Sequence, residues 1–141
     1  MNLLAIDTST DFCSVAACRG ETLLSRHEPA GQRQAEMILD MVGAVLGDAG
    51  LDLKRIEGIA FGEGPGSFTG LRIAAGVTQG LAFGADLPVV GVSTLLALAE
   101  GAQSARAICC IDARMGQVYH AAYARHGADW RTVHGPGLYA P

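Results

Sequence analysis

The residues best placed to do chemistry lie in one glycine-rich stretch, GEGPGSFTGLR (Gly62–Arg72), and at two strand ends, IDTST (6–10) and IDAR (111–114). A glycine-rich turn between a strand and a helix holds phosphate when its backbone N–H groups are joined by a cation. A Walker loop would place a lysine after Gly66, where Ser67 and Phe68 follow instead, and the loop contains no lysine. The dinucleotide pattern Gly-x-Gly-x-x-Gly fails because Gly64 and Gly66 would need a third glycine at 69 and it stands at 70. A nucleophile elbow fails too, since Ser67 has Gly66 beside it and Thr69 two places on. What is left is a helix N-terminus with free N–H groups that any anion could use. Asp7 and Ser9 are weak candidates for holding a nucleotide, and they serve equally as turn residues that satisfy local backbone.

Metal and thiol chemistry find little support. His27, His120, His126 and His134 show neither i, i+4 pairing nor a nearby carboxylate cluster. Cys13, Cys18, Cys109 and Cys110 form no C-x-x-C pair and fall in apolar strand-like runs, so they are expected to be buried and reduced. The net charge of −4, with no run of Lys or Arg longer than two, lacks the basic footprint of a protein that grips a polyanion by itself. The N-terminal MNLLAIDTST has no basic n-region or cleavage site and reads as a strand. The uncharged runs Ile73–Ala85 and Leu87–Ala99 are both shorter than the about 18 residues of a membrane span. A cytoplasmic protein is expected.

At 141 residues the chain can bury one substantial core. Leu3–Ile6 is a continuous apolar run, as a strand covered on both faces would be, and Cys13–Cys18 and Thr22–Glu28 follow across a tight turn as an antiparallel meander. The period then changes. Ile38, Met41, Val42, Val45 and Ala49 recur at helical spacing between Arg33 and Leu46, Gly50 supplies a stop, and Met37, Met41 and Ala44 form a second apolar stripe. Asp52 caps a short turn, Gly58–Phe61 is a strand, and Ser67 caps a helix from Phe68 to about Gly84. Val89–Val92 is a strand, Ser93 caps a helix to about Glu100, and Ile108–Ile111 is a strand again. The pattern then restarts, with hairpin strands at Gln117–Ala124 and Trp130–Val133. The order β-β-β-α-β-α with this echo predicts an α/β protein of actin-like, ribonuclease H-like class: a first unit over 1–105 and an incomplete second copy over 106–141. Asp7, Ser9 and Asp112 then stand at the strand ends where such folds hold Mg-nucleotide.

Glycine, at 19 residues, is nearly twice its usual share of about 7%, and part of the excess has a pattern. Gly76, Gly80 and Gly84 recur every fourth residue along the second helix, at a cost of about 0.8–1 kcal/mol each relative to alanine. Close approach of another backbone would offset that cost. The partner is either the chain's own helix or sheet, or a second chain. Because this helix is apolar around most of its circumference and the first helix has its extra stripe, a two-helix docking face is plausible, with Met37, Met41, Ala44, Thr69, Arg72, Gly76 and Gly80 as its contacts.

LLAIDTST, GPGSFTGLRIAAGVTQGLAFG, LPVVGVSTL and IDARMGQVY resemble the TsaB (YeaZ) family of tRNA threonylcarbamoyladenosine synthesis, over Leu3–Tyr119. The resemblance implies an actin-like fold and a non-catalytic subunit that pairs through the two helices after the first meander, with itself or with the catalytic relative TsaD. It also implies that the ATPase TsaE joins the assembly, that tRNA is met only through the complex, and that ATP or ADP and a metal belong to the partner subunits. Gln34 and Asp40 stand where the family often has a His before its first helix and a Pro within it, and the His-x3-His of the catalytic relative is absent. Family members usually continue for many tens of residues more. The competing class is a glycoprotease-like or nucleotide-binding enzyme of the same superfamily, which would work through Asp7, Ser9 and Asp112.

Overall fold

A computed structural model describes residues 1–140; residue 141, the end of the expected second unit, lies outside them. The elements run β1 (Asn2–Asp7), β2 (Phe12–Arg19), β3 (Thr22–Pro29), α1 (Gln34–Asp48), a 3-10 turn (Leu53–Arg55), β4 (Gly58–Gly64), α2 (Phe68–Ala85), β5 (Val89–Ser93), α3 (Thr94–Gly101), β6 (Arg106–Arg114), β7 (Gln117–His126) and β8 (Asp129–Tyr139). By contacts the chain divides into Met1–Glu63 with Ser67–Gly91, and Gly64–Gly66 with Val92 onward. A boundary at 105, expected from the sequence pattern, would assign α3 to the first unit; α3 packs instead on β6 and β7.

In the first unit five strands lie in the order β3-β2-β1-β4-β5, with β1 antiparallel to β2 and parallel to β4. Alternation decides which side chains meet the helices. Leu4 and Ile6 of β1, Cys13, Val15 and Ala17 of β2 and Ile59 of β4 are buried with Ile38, Met41, Val42 and Val45 of α1 and Ala74 and Ala82 of α2. Burial pushes the Cys13 thiol pKa up, with Glu28 and then Asp7 adding to it, so the sulfur stays protonated inside this core. Gly50, at φ +64°, closes α1 in the left-handed conformation that glycine adopts without penalty.

The helix starts follow the polar residues that precede them. Ser67 Oγ accepts from Gly70 N at 3.3 Å, Ser93 Oγ from Leu96 N at 3.4 Å and Asp52 Oδ1 from Arg55 N at 3.1 Å. α1 has no side-chain cap; its first residue, the buried Gln34, donates from Nε2 to the Thr10 carbonyl at 3.1 Å and ties the helix to the turn after β1.

The second unit is an antiparallel sheet, β6-β7-β8, with α3 on one face, where Leu95 and Ala99 pack on Cys109, Ala121 and Tyr123. Met115 and Gly116, both at positive φ, form the two-residue turn between β6 and β7, as a type I′ hairpin requires. β8 is longer than the expected Trp130–Val133. It runs through Gly135-Pro136-Gly137, a run that reads as a turn yet is tolerated on an edge strand where Pro need not donate and the register slips twice. Of the cysteines, all free, Cys13 and Cys109 are buried as expected and Cys18 partly so, but Cys110 points from the opposite side of β6 and is exposed.

Glu100 ties α3 to the hairpin. Its Oε2 accepts from Trp130 Nε1 at 2.7 Å and from Arg125 Nη2 at 2.6 Å, while the Arg125 guanidinium lies 4.6 Å over the Trp130 ring. The indole hydrogen bond first and the guanidinium second hold its carboxyl pKa below the ordinary 4.5. A depressed folded-state pKa means that this stabilisation is complete above the unfolded value and is lost as pH falls through the folded one. Glu100→Gln should therefore flatten the decline in unfolding midpoint between neutral pH and the region below 4.5, measured by urea titration at a series of pH values.

Candidate functional site

The glycine loop is built against the end of β1. Thr8, fully buried, donates from Oγ1 to the Gly70 carbonyl at 2.6 Å, and Ser67 N donates to the Ser9 carbonyl at 2.7 Å. A Cβ on Gly70 would strike the Thr8 carbonyl, and one on Gly62 would strike the Asp7 carboxylate. Both glycines are therefore required by close approach. Asp7 Oδ1 accepts from Ser9 N at 3.0 Å and from Ser9 Oγ at 2.7 Å, so Asp7 and the buried Ser9 shape the turn that receives α2. The Gly64–Pro65 peptide within the loop is cis. Asp112 makes a similar local closure, accepting from Arg114 N at 2.8 Å. Among the described residues no three His, Cys, Asp or Glu side chains gather as a metal site.

From that seat α2 presents two opposite faces. Gly70, Ala74, Thr78 and Ala82 are buried. Thr69, Arg72, Gly76, Gly80 and Phe83 lie on the far side, all exposed, and Phe83 is 91% exposed. A Cβ added at Gly76, Gly80 or Gly84 would meet no atom within 4 Å. Packing against the chain's own helix or sheet thus does not account for the stripe. Phe68, 68% exposed, carries the Arg72 guanidinium 3.8 Å from its ring centroid at the N-terminal end of this face.

α1 packs beside α2, and its exposed residues differ from Met37, Met41 and Ala44. Met41 is only 6% exposed and belongs to the core, while Met37 and Ala44 are half-buried, Met37 against that core. A helix resting on a sheet and against a second helix needs an apolar arc wide enough for both, and Met37, Met41 and Ala44 complete that arc. The exposed ridge of α1 is Glu36, Leu39, Asp40, Gly43 and Gly47. Leu39, Gly43 and Gly47 repeat the four-residue spacing of α2, a signal present in the sequence; the two glycines, like those of α2, have open space above them.

Two adjacent helices thus each present a bare ridge with small residues, and the fold around them is the actin-like class. The family model described as "TsaD: tRNA N6-adenosine threonylcarbamoyltransferase" matches residues 23–141. The tRNA threonylcarbamoyladenosine biosynthesis protein TsaB of Escherichia coli is 44% identical over 98% of this chain and 64% of its own length. TsaB of Haemophilus influenzae is 47% identical over 89% and 55%. The solved structure of YeaZ from Pseudomonas aeruginosa superposes with a TM-score of 0.94 at 42% identity, covering 99% of this chain and 68% of that one. The chain belongs to the TsaB (YeaZ) family. It spans less than two thirds of the length of the curated E. coli and H. influenzae relatives. No helix of the described residues is long and apolar enough to cross a membrane.

With no neighbour to clash, Gly76→Ala and Gly80→Ala should each stabilise the unpaired chain by about 0.8–1 kcal/mol, the helix-propensity difference alone. A loss of stability in urea unfolding would show that the stripe is packed internally.

Proposed function

We propose that this chain serves the formation of threonylcarbamoyladenosine in tRNA as a non-catalytic subunit, by docking the exposed ridges of α1 and α2 on a TsaD-type threonylcarbamoyltransferase chain. The observation that carries this reading is the open space above Gly76, Gly80 and Gly84. Three interior glycines weaken α2 by about 2.5–3 kcal/mol in total, and a partner backbone at close range is the offsetting contact. A match to a family model described for TsaD makes that partner a structural relative, so two similar helix pairs can meet about a pseudo-two-fold axis.

In this reading the chemistry belongs to the partner, which supplies ATP or ADP and the metal; Asp7 and Ser9 are engaged in the turn beneath α2. TsaE joins the assembly, and tRNA is reached only through it, in keeping with a net charge of −4. The work is done in the cytoplasm.

The test is light scattering on a sizing column, with the chain run alone and then with the TsaD-type chain of the same organism. A mixed complex should form, and Gly80→Leu should abolish it while leaving the unfolding midpoint of the chain unreduced. Failure of the wild-type chains to associate at micromolar concentrations would overturn the proposal.

A further inference from the structure

Beside α2, on the flank that faces β5, lies an open groove of about 450 Å³, a volume within the range of small-molecule sites. Phe61, Ala75, Ala82, Leu87 and Val89 give it an apolar lining, and Phe83 stands at its rim. Two polar groups remain there. Thr78 is buried, and its hydroxyl oxygen has no hydrogen-bond partner among the described residues. Asp86 is exposed and brings a carboxylate to the end of the row of α2 residues that lines the groove.

Asp86 is badly suited to the end of a helix. Its φ is +54°, in the left-handed region that glycine adopts without steric penalty, and glycine is the commonest residue where a helix ends in that conformation. Its charge also meets the negative end of the helix dipole, where a lysine or arginine would be favourable, and the last turn of α2 has no basic residue. Arg72, the one basic residue of α2, is about 21 Å away along the helix axis. Among the described residues no ion pair neutralises Asp86. The carboxylate thus costs the helix end stability and has no counter-charge in the chain.

We infer that the groove binds a small organic amine, its apolar body held among Phe61, Ala75 and Val89 and its ammonium on the Asp86 carboxylate. An unpaired carboxylate beside an apolar hollow recognises a cation carried on an apolar body, because only such a ligand satisfies both at once. The phenyl rings suit it as well, since an ammonium near an aromatic face gains a further attraction. The site stands apart from the proposed docking on the Gly76 and Gly80 ridge, and its test needs this chain alone.

Phenethylamine is the probe, titrated into the isotope-labelled full chain and followed by amide NMR. The signals of Ala75, Gln79, Asp86 and Val89 should move together, with a dissociation constant of about 1–10 mM for a ligand of this size. Phenethyl alcohol, which lacks the charge, should bind about tenfold more weakly. Asp86→Asn, which keeps a residue tolerant of the left-handed turn, should erase the difference between the two ligands. Asp86→Gly should raise the urea unfolding midpoint of the empty chain, because it removes both penalties at the helix end. No movement of these signals at about 50 mM amine overturns the site. Equal affinity for amine and alcohol in the wild-type chain overturns the ligand class. Tighter binding of N-acetyl-lysine amide than of phenethylamine would give the groove to a lysine side chain of a partner protein and overturn the small-molecule assignment. A lowered midpoint in Asp86→Gly would show that the carboxylate serves the helix itself, which overturns its role as a free anchor.

Discussion

The carbonyl oxygen of Thr8 occupies the space that a side chain on Gly70 would need, and much of the first unit is arranged around that contact. It brings the first turn of α2 onto the end of β1, where the Thr8 hydroxyl, the Ser9 carbonyl and the Ser67 cap each bond a backbone group of that turn. Asp7 and Ser9 are drawn into the same structure. In this protein the end of the first strand thus does mechanical work, fixing the direction of a helix. Direction matters because the far side of α2 can meet another chain only if its near side is held against the sheet.

Most of this was legible before any coordinates. Ser67 and Ser93 announce their helices through capping, Gly50 its stop, and the change from period two to helical period after β3 places α1. The face of α2 was readable because Thr69, Arg72, Gly76 and Gly80 fall on one side by spacing alone. α1 was harder. Its two apolar stripes adjoin, and a sequence does not tell whether a wide arc faces one neighbour outside the molecule or two inside it. Met41 belongs to the core for that reason, and the exposed glycines at 43 and 47 carry a weaker signal than the larger Met side chains on the same helix. In β8 the tertiary context overrode local signals: Gly135-Pro136-Gly137 carries turn chemistry but follows the edge of β7.

The two units also stabilise themselves by different means. The first relies on a deep apolar core of alternating strand residues under two helices. The second has a much smaller core and adds a polar clasp, Glu100 with Trp130 and Arg125, between its single helix and its sheet. Apolar burial of the first kind is insensitive to mild acid, while the clasp depends on an ionised carboxylate.

The unsupported glycines of α2 bear on protein turnover as much as on assembly. A helix weakened along its exposed side opens locally more often than its neighbours, and segments that open are where proteases cut first. A chain with its α2 face covered is shielded at that point, and one without a partner is not. Were the face covered as proposed, copies made in excess of their partners would be cleared faster than those in a complex, and degradation would trim the ratio of subunits without any dedicated regulator.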